Sequence, residues 1–279
     1  MSNQIRNYHW QDGKFLEVGK KTLIMGILNI TPDSFSDGGK WNHIERALQH
    51  MEKMVDDGAD IIDVGAESSR PGFIPISSEE EISRLAQILP EITAHCPVPV
   101  SVDTYKAKTA AYAVSAGAHI INDIWGLQYE QESGEMAHVA ATCDIPVIVM
   151  HNQSGTDYNN MIEDMKIFFA RSVEIAKRAG MREENIIMDP GVGFGKTAEQ
   201  NIYLLRHLRQ LTTLPYPMLL GTSRKGFIGK VLDLPVTERM EGTGATCVAG
   251  VLAGCDIMRV HDVKPIARMC KMADVLKDC

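Results

Sequence analysis

The sequence is short of the features that would assign it to several common classes. Its six cysteines, Cys96, Cys143, Cys247, Cys255, Cys270 and Cys279, include no Cys-x-x-Cys pair and no metal-ligand spacing. A disulfide framework or a structural zinc site is therefore not expected, and the cysteines read as thiols of a reducing cytosol. The opening residues, "MSNQIRNYHW", contain no apolar signal core. No apolar run approaches the roughly 20 residues of a membrane span. Together these absences predict a soluble cytoplasmic protein with no membrane partner. A basic excess is missing too, since the formal charge is −8. Non-specific nucleic-acid binding needs a positive face, so no nucleic-acid partner is expected. A local cluster of Arg and Lys that holds a small anion remains compatible with that charge.

Two nucleotide-binding loops are also absent. No turn carries Gly-x-Gly-x-x-Gly, the dinucleotide fingerprint. The stretch "IIMDPGVGFGKTAEQN" (186–201) ends in Gly-Lys-Thr and resembles a phosphate cradle at first sight. Where the cradle needs its first glycine, this chain has Pro190. Proline lacks the backbone N–H and the positive φ that the position demands. Asp189 and the glycines after it therefore need another explanation.

What the sequence does contain is a repeat. Of its 279 residues, 44% are hydrophobic, enough for a large core. Short apolar, β-branched runs recur as "TLIMGILNI" (22–30), "IIDVGAE" (61–67), "VPVSVDT" (98–104), "HIINDIWG" (119–126), "PVIVMHN" (146–152), "IIMDPG" (186–191), "MLLGTS" (218–223) and "DIMRVHD" (256–262). Between them lie segments of helical periodicity. In "IERALQHMEKMVDDGAD", Ile44, Ala47, Leu48, Met51 and Val55 share one helix face. The same pattern marks "EEISRLAQILPEI", "KAKTAAYAVSAG", "EMAHVAATCD", "MKIFFARSVEIAKRAG", "NIYLLRHLRQL", "TGATCVAGVLAG" and the tail "KPIARMCKMADVLKD". Several close on glycine before the next strand, a common helix exit. Strand and helix alternating in this way predict an α/β fold, a (β/α)8 TIM barrel of one domain over residues 21–279. Buried parallel strands should read as near-continuous apolar runs, as these do. Residues 1–20 lie outside the repeat and are expected to form an extension, a hairpin at the bottom of the barrel.

In such a barrel, reactive groups gather at the C-terminal ends of the strands. Those ends read Asn29, Asp63 with Glu67, Asp103, Asn122 with Asp123, His151 with Asn152, Asp189, Ser223 with Lys225, and Arg259 with His261. They are expected to converge on one mouth, anions and amides to one flank and cations to the other. Asp103, Asn122 and Asp189 sit beside apolar residues, and a buried carboxylate needs donors. A flat heterocycle with adjacent N–H groups would supply them, a guanidine-like edge meeting Asp189 with two parallel bonds. The competing reading is that Asp189 caps the glycine loop after it. Arg259, His261, Asn29 and Arg70, with Arg224 and Lys225, suit a phosphate group near the last strands. The alternative for any one arginine is a surface ion pair. Asn29 offers a neutral oxygen to Mg2+, a hard cation, with a bridging diphosphate supplying most of the ligand charge. The segments "TPDSFSDGGKW" (31–41) and "SSRPGFIPISS" (68–78) have the composition of loops that close over substrate. They bring Phe35 and Phe73, to which the 186–201 stretch adds Phe194. Phe35 reads equally well as an anchor for its own loop.

The segments "GILNITPDSFSDGG", "DVGAESSRPG", "SVDT", "INDIWG", "DPGVGFGK", "GTSRKGFIG" and "RVHDV", in this order, resemble those of the dihydropteroate synthase family from about residue 22 onward. The resemblance implies condensation of 6-hydroxymethyl-7,8-dihydropterin diphosphate with 4-aminobenzoate, with diphosphate released, in folate synthesis. It implies sulfonamides as inhibitors, Mg2+ as cofactor and a homodimer. Carried over by motif, Asp103, Asn122, Asp189 and Lys225 bind the pterin, and Asn29 holds the metal. Asn29, Arg70, Arg259 and His261 form the diphosphate site. Ser69, Pro71, Phe35, Phe194, Ser223 and Lys225 form the aminobenzoate pocket, with Ser36 and Asp37 on its closing loop. The catalytic set implied is Arg259, His261, Lys225 and Asp189. Ser69 stands where many members have threonine, and "MHNQ" (150–153) replaces "MHM". Two related readings are a barrel that passes a methyl group from methyltetrahydrofolate to a corrinoid protein and a pterin-binding paralogue without catalysis. The first has no use for a diphosphate cluster or "SRKGFIG", and the second would be expected to lose "TPDSFSDGG".

Overall fold

The computed structural model describes residues 5–30, 40–67 and 74–277. Strands β1 (Arg6–His9) and β2 (Phe15–Val18) form an antiparallel hairpin. Eight further strands form one parallel sheet: β3 (Leu23–Asn29), β4 (Ile61–Gly65), β5 (Val100–Asp103), β6 (Ile120–Asp123), β7 (Val147–Met150), β8 (Ile186–Asp189), β9 (Leu219–Leu220) and β10 (Ile257–Val260). Neighbours follow chain order, and β3 lies beside β10. The ring completes between β8 and β9, where Met188 bridges Met218 and donates its N–H to the Pro217 carbonyl at 2.8 Å. Each strand lies inside the apolar run read from the sequence, and the fold is a (β/α)8 barrel.

Alternation along each strand divides its side chains between two cores. One set, including Ile24, Ile62, Val64, Val102, Ile121, Val149, Met188 and Met258, faces outward and packs under the helices. The other, Leu23, Met25, Ile61, Ile120, Ile148, Ile187, Leu219 and Ile257, fills the lower interior. Tyr8, Leu16 and Val18 of the hairpin pack into that interior set, so the hairpin stoppers the N-terminal end. Arg6 fastens it there, donating to the carbonyls of Glu183, Glu184, Ile186 and Pro215 at the entries to β8 and β9. Trp10 meets the His119 ring edge-on at 5.1 Å.

The helices are α1 (Lys40–Asp56), α2 (Ser78–Leu85), α3 (Leu89–His95), α4 (Ala107–Ser115), α5 (Glu135–Cys143), α6 (Met161–Arg178), α7 (Ala198–His207), α8 (Gly226–Leu232), α9 (Met240–Ala253) and α10 (Val263–Lys277). Two depart from the sequence reading. The segment "EEISRLAQILPEI" is not one helix, because Pro90 cannot sit in a helix interior and instead starts α3. Helix α8 has no counterpart in the sequence pattern, since a seven-residue stretch with two glycines carries too little periodicity to read. Among the described residues, no helix is long and apolar enough to cross a membrane.

Candidate active site

The alternation that places Ile61, Ile120, Ile187 and Ile257 in the lower interior places the residue two steps further along each strand directly above them. Those residues are Asp63, Asn122, Asp189 and Arg259, with Asp103 at the matching place on β5. A polar layer thus rests on an apolar floor. All are buried except Arg259, which is partly so.

Arg259 joins the layer. Its Nε donates to Asp63 Oδ2 at 2.6 Å and its Nη2 to Asp103 Oδ2 at 2.8 Å. Asn122 Nδ2 donates to the same Asp63 oxygen at 3.1 Å. The expected division into an acidic and a basic flank is therefore corrected: cation and carboxylates interlock at the centre. The reason is electrostatic, because carboxylates withdrawn from water need a counter-charge at hand. Asp63 was legible only as a strand end, yet it ties Arg259 to Asn122, and its Oδ1 is buried without a partner among the described residues. Burial pushes Asp103 up to about 7 against the pull of Arg259. Burial by itself would lower Arg259, but Asp63 and Asp103 outweigh it and raise its pKa.

Asp189 serves its own loop as well as the interior. Its Oδ1 accepts the Gly191 N–H at 2.7 Å. Burial lifts its carboxyl to about 6, opposed by that bond and by Lys225 and Arg259, whose fields reach it. The glycines of "DPGVGFGK" now have a reason. At Gly191 φ is +66°, and a Cβ there would lie 1.9 Å from the His151 carbonyl oxygen. The loop wraps around the buried Lys196, which donates to the carbonyls of Gly191 and Phe194 and meets His151 Nδ1, each at 3.0 Å. Burial lowers Lys196 to about 7 and His151 to about 3. Sequence reasoning missed Lys196; the only cue was a lysine closing a glycine loop that is no phosphate cradle.

Lys225 holds its ammonium 4.2 Å above the centre of the Phe194 ring, a cation–π contact. Phe194 in turn packs against the buried group of Tyr105, Ile124 and Met150, with Trp125 and Tyr129 beside it. An apolar shelf suited to a flat ring therefore borders the polar layer. Ser223 Oγ accepts the His261 N–H at 3.1 Å and lies 2.9 Å from His261 Nδ1, so it stands with the group expected to hold diphosphate. Arg224, expected among the anion-binding cations, is committed elsewhere: its guanidinium grips Asp262 at 3.0 and 2.6 Å. Asn29 is half-buried and paired with Gly65 in the ladder. A Cβ at Gly65 would stand at ordinary contact distance, 3.6 Å from Asn29 Oδ1 and 3.7 Å from Asp103 Cβ, so Gly65 lies beside both residues. No group of three His, Cys, Asp or Glu capable of holding a metal occurs among the described residues. One neutral amide oxygen fits Mg2+ only where phosphate oxygens and water complete the shell.

Of the other strand-end groups, His151 and Asp123 face away from the interior because adjacent residues alternate, while Asn152 and Glu67 lie past the ends of β7 and β4 and bond locally. His151 lies between the sheet and α6, its ring 4.8 Å from that of Phe168. Asp123 caps the backbone N–H groups of Trp125 and Leu127 at 2.8 and 2.7 Å. Asn152 accepts the Gln153 N–H. Glu67 binds the Ile76 N–H and, with Glu81, encloses Lys106 at 2.5 and 3.0 Å. Phe35, Ser36, Asp37, Ser69, Arg70, Pro71 and Phe73 lie outside the described residues.

Residues 25–261 match the model of a family described as pterin binding enzyme. The chain is 54% identical over 261 residues to a dihydropteroate synthase of Bacillus subtilis, covering 94% of this chain and 90% of that one. Its identity to the dihydropteroate synthase of Clostridium beijerinckii is 52% over 264 residues, covering 94% and 97% of the two chains. A crystal structure of dihydropteroate synthase from Clostridium difficile, in the presence of pteroic acid, superposes with a TM-score of 0.90 at 48% identity, covering 94% of this chain and 98% of that one. The Yersinia pestis enzyme in a sulfonamide complex gives 0.88 at 36%, covering 98% and 100%.

Proposed function

The chain belongs to the dihydropteroate synthase family of pterin-binding enzymes, and from that premise we propose how its barrel rim divides the work. The enzyme condenses 6-hydroxymethyl-7,8-dihydropterin diphosphate with 4-aminobenzoate to 7,8-dihydropteroate and releases diphosphate. The observation that carries the assignment of residues is the polar layer in which Arg259 meets Asp63 and Asp103, with Asp189 and Lys225 within electrostatic reach. Asp103, Asn122 and Asp189 accept and donate along the polar edge of the pterin, while its ring lies toward the Phe194 shelf beneath Lys225. Arg259 and His261, with Arg70 and Asn29, receive the diphosphate. Ser69, Pro71, Phe35, Phe194, Ser223 and Lys225 receive 4-aminobenzoate.

The reaction needs no side-chain nucleophile. The bond from the pterin methylene carbon to the diphosphate oxygen breaks early, and the bonding pair leaves with diphosphate. The carbocation is delocalised into the pterin ring, and the carboxylate of Asp189 balances its charge. Arg259 and His261 stabilise the leaving group as its charge grows. The aniline nitrogen of 4-aminobenzoate then attacks the carbon and loses a proton. Exclusion of water protects the cation until that attack. Mg2+ belongs to this proposal, with Asn29 as its protein ligand, supplying Lewis-acid charge compensation to the diphosphate when bound.

A homodimer is part of the same reading, supported by the exposed apolar side chains of Met272 and Leu276 on α10 and Leu252 on the neighbouring α9. Residence in the cytoplasm is supported by free thiols at Cys96, Cys143, Cys247, Cys255 and Cys270. The deciding assay measures diphosphate released from the pterin substrate with and without 4-aminobenzoate. Release that needs both substrates is expected; release indifferent to 4-aminobenzoate would overturn the reading.

A further inference from the structure

We propose that Arg224 and Asp262 form a positioning clamp that sets Lys225 and Ser223 in register with Arg259 and His261. The inference rests on the site reading above and adds a pair that makes no contact with the reacting groups. Strand β9 is only two residues long, and its ladder with β10 has two rungs, Leu219 with Ile257 and Leu220 with Met258. Backbone pairing therefore stops short of the residues that matter. Side chains continue it. Ser223 meets His261 and Arg224 meets Asp262, each pair separated by 38 residues, the same offset as the ladder. Below the ladder, Met218 N–H donates to Asp256 Oδ2 at that offset too.

Arg224 is held through its backbone as well as its side chain. Its N–H donates to Thr243 Oγ1 at 3.0 Å and its carbonyl accepts from Arg239 Nη1 at 3.1 Å. Its φ is +56°, in the left-handed region that a side chain enters only at a cost. A left-handed residue breaks the regular alternation of an extended strand. This one turns its own guanidinium out to Asp262, while Ser223 on one side reaches His261 and Lys225 on the other reaches Phe194. The Asp262 carboxylate raises the Arg224 pKa still further above neutral, and a guanidinium is charged there in any case. The fork is bidentate, which fixes orientation as well as distance.

The test uses the whole chain, with Arg224→Gly, Asp262→Asn and the double variant. Glycine keeps the left-handed backbone at lower cost and removes only the fork. Each single variant is expected to lose about tenfold in kcat and to raise KM for 4-aminobenzoate by about threefold or more, because Ser223 and Lys225 receive that substrate and are displaced together. The double variant should be slowed no further than either single, because both changes break one interaction. Melting temperatures should fall by less than about 4 °C, since the pair is partly exposed. Unchanged kcat in the singles, losses that multiply in the double, or a kcat loss matched by a larger drop in melting temperature would each overturn the clamp. Arg259→Ala, run alongside, separates the two readings. If it keeps full turnover, the site assignment itself fails; if it is slow while Asp262→Asn is not, only the clamp fails.

Discussion

Arg259 divides one guanidinium between Asp63 and Asp103, and its removal would leave two carboxylates buried without their counter-charge. Breaking such a group by deleting one partner costs about 3–5 kcal/mol of stability. Arg259→Ala is expected to pay that cost and to slow turnover more than it weakens 4-aminobenzoate binding; single-turnover kinetics alongside equilibrium titration would check this, and equal turnover would refute it. Asp189 gives a pH effect of definite sign. Burial lifts its carboxyl from 3.8 to about 6, so the folded chain holds the proton more tightly than the unfolded one. The stability so contributed is complete below about pH 4 and is lost as pH rises through about 6. Asp189→Asn, which cannot ionise, should therefore be more stable than the parent near pH 8, by up to about 3 kcal/mol, with the advantage gone near pH 4. Thermal melts at the two pH values test the sign, and a variant less stable at the higher pH would contradict it. Asp189→Ala should abolish pterin binding in a calorimetric titration.

At the scale of elements, the eight strands were legible because strands buried on both faces leave unbroken apolar runs, each ending where a polar side chain begins. The choice between adjacent polar residues was not legible. Asn122 faces the interior and Asp123 the loop, and only the closed ring decides which parity points inward. His151 looked like a rim group on the same evidence as Asp189, and the alternation sends it under α6 instead. Partners remote along the chain, such as Asp63 for Arg259 or Asp262 for Arg224, leave no local trace. The substrates came from motif order rather than from physics, and the comparisons with known enzymes agree with them. One junction between elements yields a further prediction. Lys106, just after β5, sits between Glu67 at the end of β4 and Glu81 of α2. Burial raises the Glu81 pKa even with Lys106 and Thr109 opposing. Lys106→Met should lower the urea midpoint by the equivalent of about 3–5 kcal/mol; a midpoint equal to the parent's would show that the cluster is dispensable.

The molecule as a whole separates its stability from its chemistry along the barrel axis. The lower interior is apolar and shared with the hairpin, while the polar layer lies above it. Leu16→Ala should cost about 2–5 kcal/mol in denaturant unfolding, as a cavity in a packed core does, with kcat unchanged at temperatures where the variant is folded. A parallel fall in kcat would show that the two ends are coupled. Because packed side chains fill the lower interior and β1 and β2 cover its base, reactants have one doorway, at the opposite end. Whichever reactant sits deeper has to arrive before the shallower one, and an excess of the late arrival obstructs the early one. Rates should therefore decline at high 4-aminobenzoate, more steeply when the pterin diphosphate is scarce.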